Sequence, residues 1–256
     1  FFRTAPSDAR QGEVMADEIM EKGLSSVAVT YTNNDYGKGL ADSFQKAFEA
    51  QGGTVTISTA HEDGKGDYSA EVGSLASAGG DALAVVGYVD QGGSGVLRGA
   101  LDTGAFETFI FPDGMVSQTL EDNFGSEIEG SFGQLPDSEG QGMETYLSMA
   151  ESAGYDGSSA YSGAAYDGAA LMLLAMQAAG SSDPKVYKDK ITEIANGPGE
   201  KIYPGELAKA LELIAAGTAI DYEGATAVNM IGNGEAAGTF REIEIKDGKI
   251  ETVKYR

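Results

Sequence analysis

The sequence predicts an α/β protein whose core is a mainly parallel sheet flanked by helices. Three observations carry the reading. Short apolar runs at 27–31, 54–59, 82–88 and 108–111 recur at nearly equal spacing through the first half, with the length and β-branched content of strands. Between them, segments 39–50, 68–78 and 94–103 carry apolar residues three and four positions apart, and several run into a glycine, as helices do. A strand, a helix of that length and a second strand leave room for a right-handed crossover, which joins parallel neighbours.

The elements follow in order. Before the first strand, "SDARQGEVMADEIMEKG" reads as a helix capped by Ser7 or Asp8 and stopped at Gly23. The first strand leads through "TNNDYGKGL" into the helix at 39–50, the second through "HEDGKGD" into 68–78, and the third through "VDQGGSG" into 94–103. The second half has a different texture. Helices are expected at 142–153, 163–179, 185–196 and 205–215, then "TAVNMI" and "GTFREIEIKDGKIETVKYR", whose alternation about Asp247-Gly248 predicts a β-hairpin. That half supplies too few strands for a complete sheet of its own.

With 256 residues, 41% of them hydrophobic, the chain can fill one large core or two medium ones. Its net charge of -23 argues against nucleic acid or an anionic membrane surface as partner, since either would repel it and no basic patch is visible. The absence of cysteine removes disulfides, thiolate catalysis and zinc-thiolate sites. The most apolar stretch, "AALMLLAMQAA" at 169–179, is far shorter than the roughly 20 residues that span a bilayer, so it reads as a buried helix and no direct membrane insertion is expected. The chain opens on Phe1 rather than Met, which suggests a processed form or a fragment.

In open parallel sheets, ligands bind beyond the carboxyl ends of the strands. The residues that follow the strands here are Asn33, Asn34, Asp35 and Tyr36; His61, Glu62 and Asp63; Tyr88, Asp90 and Gln91; and Asp113. One rim therefore collects phenols and carboxylates. A dinucleotide does not suit the first loop, because Gly37 and Gly39 are followed by Asp42 where the fingerprint needs a third glycine, and a carboxylate and a phenol are poor company for phosphate. A calcium loop would need regular spacing and a distal glutamate, which are absent, and no cofactor is expected. Catalysis fares no better. "GGSGV" lacks the final glycine of a nucleophile elbow, and the only histidine, His61, followed by Glu62 and Asp63, reads as a surface residue in a solvated turn.

Several segments together resemble the periplasmic substrate-binding proteins of branched-chain amino acid importers, which have the type I periplasmic binding fold of two lobes. "FFRTAPSDARQG" is similar to that family's passage into its second lobe, and "NNDYGKGLADSFQKAFEAQGGTV" and "DYSAEVGSLASAGGDALAVVGY" to strand-helix units of that lobe. "YSGAAYDGAALMLLAMQAAG" and "DYEGATAVNMIGNGEAAGTF" resemble the return through lobe one and the last crossing. The order and spacing of these segments are specific, rather than any one of them. The resemblance implies lobe two at 1–134 plus 239–256, the later part of lobe one at 136–232, and crossings near 134–136 and 232–239. It also implies a first lobe that begins upstream of Phe1, so that the chain is expected to be a fragment.

What the resemblance implies about function is a receptor in the periplasm, not an enzyme, which closes on an amino acid or related small polar molecule and delivers it to an inner-membrane ABC permease. Family members that bind amino acids hold the ammonium with an acid and phenols of lobe two, which falls on Asp113 in "FIFPDGM", with Tyr36 and Tyr88, and with Asp90 and Gln91 in the glycine-rich loop as further candidates. A buried carboxylate facing an ammonium makes a short charge-assisted bond. Pro112-Asp113-Gly114 also reads simply as a turn. Two other classes stay open: a ligand-sensing lobe of a receptor or regulator, and an unrecognised enzyme on a doubly wound sheet, which fold alone does not exclude.

Overall fold

The computed structural model describes every residue from Phe1 to Arg256. The chain begins with α1 (Asp8–Glu21), β1 (Ser26–Thr32), α2 (Asp35–Ala50), β2 (Thr54–His61), α3 (Ser69–Ala78) and β3 (Ala82–Val86). It continues through α4 (Gly92–Thr103), β4 (Phe109–Phe111), α5 (Gln118–Phe124) and β5 (Phe132–Pro136). Then follow α6 (Gln141–Ala153), α7 (Ser162–Ala179), α8 (Pro184–Tyr187), α9 (Ile191–Ala195), β6 (Glu200–Ile202), α10 (Leu207–Ala215), β7 (Ile220–Tyr222), β8 (Met230–Gly232) and β9 (Glu235–Ala236). A last pair, β10 (Phe240–Lys246) and β11 (Lys249–Tyr255), closes the chain.

The chain divides into two compact units. The sheet unit comprises Asp8–Leu135, Phe240–Lys254 and Arg256; the helical unit comprises Phe1–Ser7, Pro136–Thr239 and Tyr255. The expected lobe boundaries place the first residues with the strands. They sit instead in the helical unit, because the Arg3 amide donates to the Gly234 carbonyl at 2.8 Å and the Thr4 hydroxyl to the Ala164 carbonyl at 2.7 Å.

In the sheet unit, seven strands run in the order β11-β10-β5-β4-β3-β1-β2, and β1 to β5 are parallel to one another along that order. Every residue of β3 is buried, as expected of a central strand covered on both faces. Its alternate residues face opposite cores: Ala82, Ala84 and Val86 meet Met15, Ile19, Leu40, Phe44 and Phe48 of α1 and α2, while Leu83 and Val85 belong with Val72, Leu75, Val96 and Leu97 of α3 and α4. Helix α1 crosses α2 at Gly12, where a Cβ would lie 2.6 Å from the Phe44 backbone nitrogen, so the approach requires glycine. The hairpin forms at the predicted place, with φ of 51° at Asp247 and 73° at Gly248, the double positive φ that a two-residue hairpin turn demands. Glu129 holds the turn by accepting from both of its amides, at 2.9 and 3.1 Å.

The helical unit packs α7, α9 and α10 around Leu171, Leu174, Ile194, Ala210 and Tyr222. The helix expected at 185–196 is broken into α8, a 3-10 turn and α9. Asp167 fixes this unit internally. Its buried carboxylate accepts from the Tyr222 hydroxyl at 2.9 Å, the Ala225 and Thr226 amides at 2.8 Å each, and the Thr226 hydroxyl at 2.6 Å. Burial pushes its pKa up while these four donors pull it back. Asp167→Asn replaces one acceptor oxygen by a donor facing donors, and is expected to cost about 1–3 kcal/mol in denaturant unfolding.

Candidate functional site at the strand ends

The loop after β1 is shaped by the cap of the helix that follows. Asn34 is the N-cap of α2, in extended conformation, and its side-chain oxygen accepts from the Gly37 amide at 2.9 Å. Helix α2 therefore starts at Asp35, earlier than the expected 39, and Tyr36 lies in its first turn rather than in a loop. Gly37 is needed because the helix start presses on the strand end: a Cβ there would lie 2.2 Å from the Thr32 carbonyl oxygen.

Tyr36, Tyr88 and Asp113 converge at this rim. The Tyr36 hydroxyl donates to the Asp113 carboxylate at 3.2 Å. Its ring stacks on that of Tyr88, with centroids 5.3 Å apart and planes inclined by 29°. Asn34 reaches the Tyr88 hydroxyl at 3.5 Å, a long contact. All three site side chains are half-buried, so each keeps a face open to solvent. Tyr88 lies just beyond β3, which ends at Val86 instead of running through to 88.

The turn that carries Asp113 is tied to the Tyr88 loop through the backbone, the Val89 amide donating to the Gly114 carbonyl at 3.0 Å. A Cβ at Gly114 would lie 2.4 Å from the Gly87 carbonyl oxygen and 3.0 Å from the Tyr36 hydroxyl. Gly114→Ala is accordingly expected to displace the turn and cost about 1–3 kcal/mol of stability, read by thermal unfolding. An unchanged melting curve would contradict the tight backbone approach.

Asp90 and Gln91 share the loop with Tyr88, but their side chains are exposed and make no hydrogen bond to the cluster. His61 departs from the sequence reading altogether. It is fully buried, because β2 pairs with β1 as far as Thr32 opposite His61, and its ring lies inside the strand-end layer. Asp63 is not a solvated turn residue either: it accepts from the Thr32 hydroxyl at 2.5 Å and the Gly92 amide at 3.0 Å. Asn34, which the sequence marks only as a rim residue, stands before an acidic first turn, and that position signals the cap.

The helical unit has a cavity of about 490 Å³, with Phe2, Leu171, Ile191, Met230, Lys185 and Lys188 in its lining. Its lining contains no carboxylate to pair with an ammonium.

A family model described as a periplasmic binding protein matches residues 1–198. The chain belongs to this family. A Leu/Ile/Val-binding protein homolog 2 of Brucella abortus is 32% identical over 190 residues, 72% of this chain and 50% of that protein. The chemotactic signal transduction system substrate-binding protein BasB of Halobacterium salinarum is 27% identical over 265 residues, 98% of this chain and 59% of that protein. The chain thus spans about half the length of the curated relatives it matches. Among solved structures, the leucine binding protein LivK of Thermotoga maritima superposes with a TM-score of 0.77 at 22% identity, covering 99% of this chain and 67% of that one. The fold is that of the type I periplasmic binding proteins. Membership implies an extracytoplasmic location, and no helix is long and apolar enough to cross a membrane.

Proposed function

We propose that this chain is part of a solute receptor for an amino acid of the leucine, isoleucine and valine kind. Asp113 takes the ammonium, and the stacked Tyr36 and Tyr88 pack against the ligand's apolar parts. The observation that carries the reading is the Tyr36 to Asp113 hydrogen bond beside the Tyr88 ring, all at one sheet edge. A carboxylate already oriented by a phenol costs little to align with a cation, and exclusion of water strengthens the resulting pair. Two half-buried rings give an aliphatic side chain a flat surface while the Tyr36 hydroxyl stays bonded to Asp113. Asp90 and Gln91 are solvent-facing and contribute at most through the loop that holds Tyr88.

The receptor acts by binding alone and hands the unchanged ligand to an inner-membrane ABC permease. The similarity to BasB favours a second use of the same binding event, signalling to a chemotaxis receptor. Titration of the full-length protein with L-leucine, a neutral sugar and an aromatic acid, followed by recovery of the ligand, tests the reading. Saturable binding of L-leucine with the ligand recovered intact is expected. Turnover of the ligand, or selective binding of the sugar or the aromatic acid, would overturn it.

A further inference from the structure

His61 is the one histidine of the chain. Its Nδ1 lies 2.8 Å from the Thr30 hydroxyl, and its Nε2 is buried with no hydrogen-bond partner. The ring is held between two glycines: a Cβ at Gly87 would lie 3.0 Å from Nε2, and one at Gly92 would lie 2.7 Å from Cδ2. These glycines bracket the segment that carries Tyr88. Asp63 grips the far end of that segment at the Gly92 amide, and the Gly114 carbonyl holds its middle at Val89.

We propose that His61 is a positioning residue whose neutral ring keeps segment 87–92, and with it Tyr88, in the geometry that receives ligand, and whose protonation displaces that segment and weakens binding. The second half of this statement rests on the reading of Tyr88 as a ligand contact. Because Nε2 has no acceptor, the neutral ring is best satisfied as the Nδ1–H tautomer, which donates to the Thr30 hydroxyl and leaves Nε2 bare. Protonation puts a charged N–H on Nε2, against the Gly87 backbone and with no acceptor, so the segment must move or the ring must leave.

The charged groups that reach the ring are Asp63 and Glu62 from the turn after β2, and Glu71 from α3, which is paired with Lys65. Tyr68 meets the ring edge-on at 6.4 Å between centroids. Strand β1 presents the neutral Thr30, and the start of α4 presents glycine backbone. Burial outweighs the three carboxylates and holds the pKa below the usual histidine range. The folded state therefore takes the proton less readily than the unfolded chain. Its advantage is complete above about pH 6.5 and is lost as the pH falls through the folded-state value.

A lone histidine gives one imidazole signal, so nitrogen-resolved NMR of the chain reads its protonation directly. The imidazole is expected to stay neutral below about pH 6.5. When it does protonate, the amides of Gly87, Tyr88 and Gly92 are expected to shift with the same midpoint. An imidazole that titrates as in a free peptide, or amides that stay still while it titrates, overturns the positioning role without any reference to ligand. In the full-length protein, affinity for L-leucine is expected to fall about tenfold from about one pH unit above that midpoint to about one unit below it, and to lose that pH dependence in His61→Gln. Equal affinity at both values in the parent overturns the link to binding. If L-leucine binds at neither pH, the receptor reading fails, and the amide titration still decides what His61 does.

Discussion

Asp113→Asn in the full-length protein is expected to weaken L-leucine binding by about 2–5 kcal/mol, the range for removing one partner of a buried, hydrogen-bonded charge pair. That is roughly a thirtyfold loss or more. The substitution preserves size and leaves an oxygen to accept from the Tyr36 hydroxyl, so the phenol and the turn stay in place. What it removes is the charge. The loss therefore measures the attraction to the ligand's ammonium rather than a collapse of the strand-end layer. Isothermal calorimetry on parent and variant gives the number, and matching thermal unfolding curves establish that the fold is unaffected. An Asp113→Asn variant that binds like the parent would leave this residue as the ordinary turn former of its Pro-Asp-Gly loop.

Glu18→Gln is expected to stabilise the chain by about 2–4 kcal/mol at about pH 8, and to change little at about pH 5. Glu18 lies on α1 with 2% of its surface exposed, and neither carboxylate oxygen has a hydrogen-bond partner. Burial is the main reason its pKa rises to about 9, with Glu242 adding to the rise and Lys22, Arg256 and Lys254 opposing it. The basic groups do not rescue it, because Arg256 and Lys254 are engaged by Glu242 and Glu21. The sign follows from proton counting. Between about pH 4.5 and about pH 9 the folded state holds a proton that the unfolded chain releases, so this group's contribution is complete at the acid end and drains away as the pH rises. Glutamine keeps the shape and cannot ionise, which removes the slope. Parallel stability profiles for the two proteins across this range would contradict a neutral, buried Glu18.

The parallel sheet was legible in the sequence because strands such as 82–86, covered on both faces, are continuous apolar runs and their connecting helices repeat every few apolar residues. The juxtaposition of Tyr36, Tyr88 and Asp113 was legible for the same reason: neighbouring parallel strands end at one edge, so residues that follow them share a rim. The early start of α2 was not, since Asn34, Asp35 and Tyr36 interrupt the apolar period and only the cap geometry brings them into the helix. His61 escaped for a different reason. Its sequence neighbours are charged, yet its burial depends on Gly87 and Gly92, which are remote in the chain and leave room for an imidazole. The place of residues 1–7 in the helical unit depends on contacts with Ala164 and Gly234, which no local pattern encodes.

Calorimetric comparison of L-leucine with its des-amino analogue 4-methylpentanoate, on the full-length protein near neutral pH, tests the receptor reading most directly. The two ligands share the carboxylate and the aliphatic side chain and differ only in the ammonium. L-leucine is expected to bind with saturation and the analogue to bind weaker by about 2–5 kcal/mol, because Asp113 then faces no counter-charge. Equal affinity for the two would contradict an ammonium site at Asp113.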